Sequence, residues 1–206
     1  MSKGVCMFTL NLMHTAEVYQ KDRRELGRVM EPMLFLLRQK SHRLYSHSIQ
    51  VAHYAASIAA QMGLPAAEIE TIQSAALLHD IGLLTLPTVA LHKMPFLTRR
   101  EQALYKKHPD LGSNMLETIP ACQHIIPYIR HHHERWDGTG FPKHLRGVNI
   151  PLGARIIAVA DYYEQITNPS AENWAKTKQE ALNELFSASG LLFDPSIVRV
   201  FIDILS

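Results

Sequence analysis

The 206-residue sequence predicts an all-α fold, a helical bundle with a metal centre in its core, preceded by N-terminal helices. Three observations carry that prediction. Apolar residues recur at helical spacing in segment after segment, with no alternating strand pattern and no internal repeat. One apolar stretch ends in an adjacent imidazole and carboxylate, His79 and Asp80. The chain also holds His47, His108, His132, His133 and Asp161, each near the end or on the inner face of its own predicted helix. With 47% apolar residues it can bury one substantial core, so we divide it into an N-terminal helical segment, residues 1–40, and one domain, residues 41–206.

The apolar run Val5–Met13 is interrupted by Thr9 and Asn11, has only Lys3 before it and lacks a small-x-small cleavage site. It is too short to cross a membrane. We read it as a helix packing on the domain or on a partner, which leaves a homodimer open, and expect a cytoplasmic location. The net charge of +2, with no dense Lys/Arg run, excludes an electrostatic footprint for long nucleic acid but leaves room for a small phosphorylated substrate. The two cysteines, Cys6 and Cys122, form no framework and suit a reducing compartment.

From Arg23 to Gln39, Leu26, Val29, Met30, Met33, Leu34 and Leu37 follow helical spacing, and Pro32 should kink that helix. Ser46 is the expected N-cap of the next helix, which places His47 at its start with Val51, Ile58 and Met62 along the same face. Pro65 opens a third helix whose stripe, Ile69, Ile72, Ala75 and His79, delivers His79 and Asp80 into the core. Leu83–Pro87 then reads as an extended connection.

Thr98-Arg99-Arg100-Glu101 has the capping-box form, and Pro109 places His108 at a helix junction. Ile125, Ile129, His132 and His133 fall at i, i+4, i+7 and i+8, so both histidines are expected on one edge of a helix ending near Glu134. A glycine-punctuated loop, residues 136–142, follows and can bring backbone close to the site. After Pro151, Ala154, Ile157, Asp161 and Gln165 align on one helix face, and the tail gives two amphipathic helices around Leu182, Leu185 and Phe186 and around Val198, Phe201 and Leu205.

Adjacent helical residues point roughly 100° apart, so His79 and Asp80 can hold two metals, or let the carboxylate bridge both. Taken alone, such a pair is more often a buried His–Asp hydrogen bond. Asp161 at the end of the run Ile156-Ile157-Ala158-Val159-Ala160 needs a buried ion pair or a metal, because burying a carboxylate without a cation is costly. The full set of histidines and carboxylates favours metal.

The ordered set of His47, His79-Asp80-Ile81-Gly82, Leu97-Thr98 with Glu101, His108-Pro109 with Gly112, His132-His133-Glu134-Arg135-Trp136-Asp137-Gly138-Thr139-Gly140-Phe141-Pro142 and Ala158-Val159-Ala160-Asp161 resembles the HD-GYP subgroup of the HD phosphohydrolase superfamily. The resemblance covers roughly residues 42–205. It implies a helical domain with an iron or manganese site that hydrolyses cyclic di-GMP to linear pGpG or GMP. By that resemblance His47, His79, Asp80 and Asp161 are ligands of one metal, and Asp80 bridges to a second held by His108, His132 and His133. His79 and Asp80 are then the catalytic pair, and two close metals would lower the pKa of a bridging water for in-line attack.

Departures from the family pattern bear on the substrate. The family's lysine after His-Asp-Ile-Gly is Leu83 here, and its basic stretch after the last site helix is Asn168-Pro169-Ser170-Ala171. Lys93 and Arg155 stand where basic residues are common in the family and, with Gly140 and Phe141, are the expected substrate contacts. Phe141 takes the place of the Gly-Tyr-Pro tyrosine, and Glu164 that of a usual aspartate. Arg43 occupies the position of a third metal's glutamate, so two metals are expected. A phosphohydrolase on another nucleotide or phosphoester is the alternative, as is a signalling module with a GGDEF-type partner.

Overall fold

The computed structural model describes residues 24–88, 91, 97–168 and 175–206. Among them the chain is helical without strands, which bears out the all-α expectation. Helix α1, residues 24–40, runs through Pro32 and buries Leu26 and Leu37 in the common core, with Val29, Met30, Met33 and Leu34 packed against it. Phe35 and Leu36 on the same helix stay exposed. The run Val5–Met13 lies outside the described residues.

Helix α2, His42–Gln61, begins earlier than the sequence suggests. Its N-cap is Ser41, whose extended backbone follows α1 directly and whose hydroxyl accepts the Leu44 N–H, while Ser46 is spent on a contact with His42 Nδ1. His47 therefore sits in the second turn, on a face already fixed by the helix. Helix α3, Ala66–Leu78, starts after Pro65 as expected and packs along α2. It stops at His79, and Asp80 has left helical geometry at φ −96° and ψ 8°.

An extended connection is expected next, but Ile81–Thr85 forms a 3-10 turn. The tight turn buries Ile81 and Leu83 at once, and the Thr85 hydroxyl donates to the Gly82 carbonyl within it. Helix α4, Arg99–Tyr105, carries the anticipated capping box: the Thr98 hydroxyl accepts the Glu101 N–H and the Glu101 carboxylate accepts the Thr98 N–H. Helix α5, His108–Leu116, follows with Pro109 in its first turn.

Helix α6 spans only Ile126–His131, so His132 is its C-cap and His133 lies beyond it. Helix α7, Leu152–Thr167, crosses the core and packs on α2, α3 and α6. Helices α8, Lys178–Ala188, and α9, Pro195–Leu205, close the far side, where Tyr54, Tyr163 and Phe201 meet edge to face. Leu182, Leu185, Val198 and Phe201 are core residues as expected, whereas Phe186 is 72% exposed because α8 turns it outward. Cys122 is a buried free thiol, pushed up to about 11 by burial and by the charge of Glu25.

Candidate metal centre

The core places the five histidines and two aspartates singled out in the sequence together in one place. His47 Nε2 lies 3.3 Å from His79 Nε2 and 3.0 Å from Asp161 Oδ1, and His79 Nε2 lies 3.8 Å from that same oxygen. Asp80 Oδ2 is 3.7 Å from His47 Nε2 and 3.5 Å from His79 Nε2. Its other oxygen, Oδ1, is 3.2 Å from His108 Nε2, which is itself 3.2 Å from His132 Nε2. His133 lies beside His132 with the rings tilted and their centroids 4.1 Å apart. Ligands around one ion with bonds of about 2.1 Å sit roughly 3 Å apart when adjacent, so these separations match donors facing a common cation.

Two groups capable of holding an ion result: His47, His79 and Asp80, and His108, His132 and His133. The two oxygens of Asp80 face one group each.

Helix ends aim the imidazoles. His79 Nδ1 donates to Ala76 O, His108 Nδ1 to Tyr105 O and His132 Nδ1 to Ile129 O, each at 2.7 Å and each three residues back. A carbonyl only accepts, so Nδ1 carries the proton and Nε2 presents its lone pair to the centre. The same bonds satisfy carbonyls left without partners in the last helical turn. This is the physical reason that these histidines stand at helix junctions.

His47 lies in the second turn of α2, away from a helix C-terminus, and does not use that device. Its Nδ1 bonds instead to Glu164 on α7, one turn beyond Asp161. Gln165 of the same helix donates its amide to Asp161 Oδ1 at 2.7 Å. Sequence reasoning noted Glu164 only as a substitution and missed its role; a carboxylate three residues after a buried aspartate was the signal. Outer partners of this kind are worth about 10–100-fold in metal affinity. Glu164→Ala should weaken manganese binding by that range in a chelator competition, and unchanged affinity would remove Glu164 from the site.

Electrostatics agree with ligation. Burial, then neighbouring imidazoles, lowers His133 to about 3 and holds His132 well below its ordinary value, so both are neutral donors. Burial alone would lower His47, but its bonds to Asp161 and Glu164 and the charges of Asp161 and Asp80 push it up to about 10. Burial likewise opposes ionisation of Asp80, yet His79, His108 and His47 hold it well below the usual carboxylate range. The centre thus asks for positive charge. Imidazoles and carboxylates of this kind are a donor set that fits a metal ion.

The loop after the histidines is built on a residue that the sequence reading passed over. Glu134 is buried, and its carboxylate accepts the N–H groups of Lys143 at 2.7 Å and Leu145 at 3.1 Å. Phe141 N–H donates to His133 O at 3.1 Å, folding the loop back on the centre. A Cβ at Gly140 would come within 2.3 Å of Arg135 N, so only glycine permits that close approach. The structure thus gives Gly140 a packing reason.

Of the other expected substrate contacts, Lys93 lies outside the described residues. Arg155 is held away from free solvent by Asp194 at 2.5 Å and Ile150 O at 2.9 Å, and its guanidinium lies 5.8 Å from the Trp136 ring centroid. Phe141 places its ring 4.9 Å from that of His133. Leu83 is fully buried with Leu86 and Leu91, and Leu44 and Tyr105 pack on them. Arg43 is exposed. A cavity of about 130 Å³ opens beside the centre, lined by His132, His133, Asp161, Tyr162, Gln165 and Phe193 among others.

The profile of the HD domain family matches residues 28–197. This chain belongs to the HD domain family. Among curated relatives, a cyclic di-GMP phosphodiesterase of Thermotoga maritima is 33% identical over 179 residues, covering 86% of this chain and 49% of that protein. The 3'3'-cGAMP-specific phosphodiesterase 2 of Vibrio cholerae is 31% identical over 166 residues, covering 80% of this chain and 32% of its own. The HD chain thus spans about half the length, or less, of these relatives. An HDG"Y"P protein from Bdellovibrio bacteriovorus superposes with a TM-score of 0.65 at 24% identity over 77% of this chain and 51% of its own, which shows a shared fold. The HD-GYP recognition made from the motifs is borne out. No helix among the described residues is long and apolar enough to cross a membrane.

Proposed function

We propose that this HD domain is a metal-dependent phosphodiesterase that hydrolyses cyclic di-GMP or a related cyclic dinucleotide to pGpG or GMP. The observation that carries the reading is Asp80, which turns Oδ2 toward His47 and His79 and Oδ1 toward His108. That division supports two ions, iron or manganese: one held by His47, His79, Asp80 and Asp161, the other by Asp80, His108, His132 and His133. When bound, such a pair supplies an activated water and Lewis-acid charge to a phosphodiester.

The chain's own residues do the rest. Backbone carbonyls and Glu164 keep the imidazoles aimed, Glu134 holds the loop that seats Phe141 against His133, and the buried carboxylates confine positive charge to one place. No Ser or Cys nucleophile is required. A cytoplasmic second-messenger role follows from that substrate class.

A second reading, hydrolysis of another phosphoester, is favoured by Leu83, which buries an apolar side chain beside the centre, and by Arg155, whose charge is paired with Asp194. Metal analysis of anaerobically purified protein, with hydrolysis of cyclic di-GMP and 3'3'-cGAMP on the same sample, separates the two. Two iron or manganese ions per chain and formation of linear product are expected. Two ions with no product from either nucleotide would overturn the substrate.

A further inference from the structure

Tyr105 ends α4, three residues before His108. Its ring packs on Leu83, Leu86 and Leu91, and the rings of His108 and His133 lie 4.8 and 5.9 Å from it, centroid to centroid. Its carbonyl accepts His108 Nδ1. Backbone and ring are therefore both fixed to the centre, and the hydroxyl is the part left to act.

Among the described residues, that hydroxyl has one neighbour in hydrogen-bond range, His133 Nε2 at 3.4 Å. A ring nitrogen whose lone pair is given to a cation cannot also accept a proton. With His133 Nε2 turned to a cation, the phenol is a partly buried donor without a protein acceptor, 3.4 Å from that nitrogen. Lys106, the next residue, places its ammonium 6.0 Å from the Phe141 ring centroid, and Phe141 in turn lies against His133. A stranded donor beside an ammonium on the rim of a site suits an anionic oxygen.

We propose that Tyr105 is a substrate-contacting residue whose hydroxyl donates a hydrogen bond to a non-bridging phosphate oxygen of the bound phosphodiester. The nature of that substrate rests on the phosphodiesterase reading, and the contact itself rests on the placement of the phenol. Leu83 is part of the same arrangement, because its apolar cluster is the surface that holds the ring upright.

Tyr105→Phe removes the hydroxyl and keeps the ring on that cluster. Titrating inorganic phosphate into manganese-loaded protein by calorimetry should show about tenfold weaker binding in the variant, the loss that follows from one hydrogen bond to a charged group. Manganese content and thermal midpoint should match the parent. The KM for cyclic di-GMP should rise with little change in kcat, as for a contact made equally in ground and transition states.

Equal phosphate affinity in parent and variant would overturn the proposal, as would a parent that binds no phosphate. Loss of manganese in the variant, or a visible tyrosinate charge-transfer band in the ferric parent, would also overturn it and make Tyr105 a metal ligand. A parent whose phosphate binding depends on Tyr105 but which hydrolyses no cyclic dinucleotide would sink the phosphodiesterase reading and leave the contact standing.

Discussion

Asp80→Ala is expected to remove metal and turnover in one step. Among the described residues Asp80 is the carboxylate that reaches both imidazole groups, with separate oxygens, whereas the imidazoles close to Asp161 Oδ1 are those of His47 and His79. Outer partners such as Glu164 cost about 10–100-fold when removed, so the loss at Asp80 should exceed about 100-fold in kcat/KM. Elemental analysis should show metal content falling in parallel with rate. Asp80→Asn refines the test, because a carboxamide keeps one oxygen and replaces the other by an amide donor that cannot ligate. The asparagine variant should keep metal on one side at most. A variant with full metal and full rate would exclude Asp80 as the bridge.

Much of this centre was legible in the sequence because helical periodicity is a local property. His79 and Asp161 lie on apolar stripes, and a carboxylate directly after the apolar run Ile156–Ala160 had to be buried, so the direction of both side chains followed from spacing alone. Pro65 and Thr98 likewise marked helix starts that the fold keeps, and Pro109 marked the junction at His108. Ser46 misled because Ser41 offers the same capping chemistry five residues earlier, and only the end of α1 decides between them. Pairings across long sequence separations were out of reach for the same reason. Glu164 meets His47 across 117 residues and Arg155 meets Asp194 across 39, and nothing in the neighbourhood of either residue announces its partner. Glu134, set between His133 and Arg135, was only a member of the quoted motif in the sequence, because the loop amides that it satisfies lie nine and eleven residues further on. A leucine at position 83 was legible as a lost cation, but not as the floor beneath Tyr105.

Gly82→Ala should have one of the largest effects of any glycine-to-alanine change among the described residues. The 3-10 turn after Asp80 lies directly on the start of α5, and a Cβ at Gly82 would sit 2.0 Å from His108 O and 2.7 Å from Gly112 N. Both obstacles are backbone atoms, so no rotamer change relieves them. Gly112 meets the turn from the other side, since its own Cβ would come within 3.0 Å of Gly82 N. Overpacking typically costs about 1–3 kcal/mol, and a clash with backbone belongs at the upper end. For a chain of this size that corresponds to a thermal midpoint lower by roughly 6–12 °C. The displacement also has a direction: to make room, the first turn of α5 must move away from Asp80, which widens the 3.2 Å separation between Asp80 Oδ1 and His108 Nε2. Metal affinity on the His108, His132 and His133 side should therefore fall in the same variant. Gly27→Ala is the matching control, because nothing lies within 4 Å of a Cβ there and alanine favours the helix by up to about 1 kcal/mol. Differential scanning fluorimetry of the two variants, with and without manganese, reads both effects. Equal midpoints for Gly82→Ala and the parent would mean that the turn and α5 do not meet as closely as described.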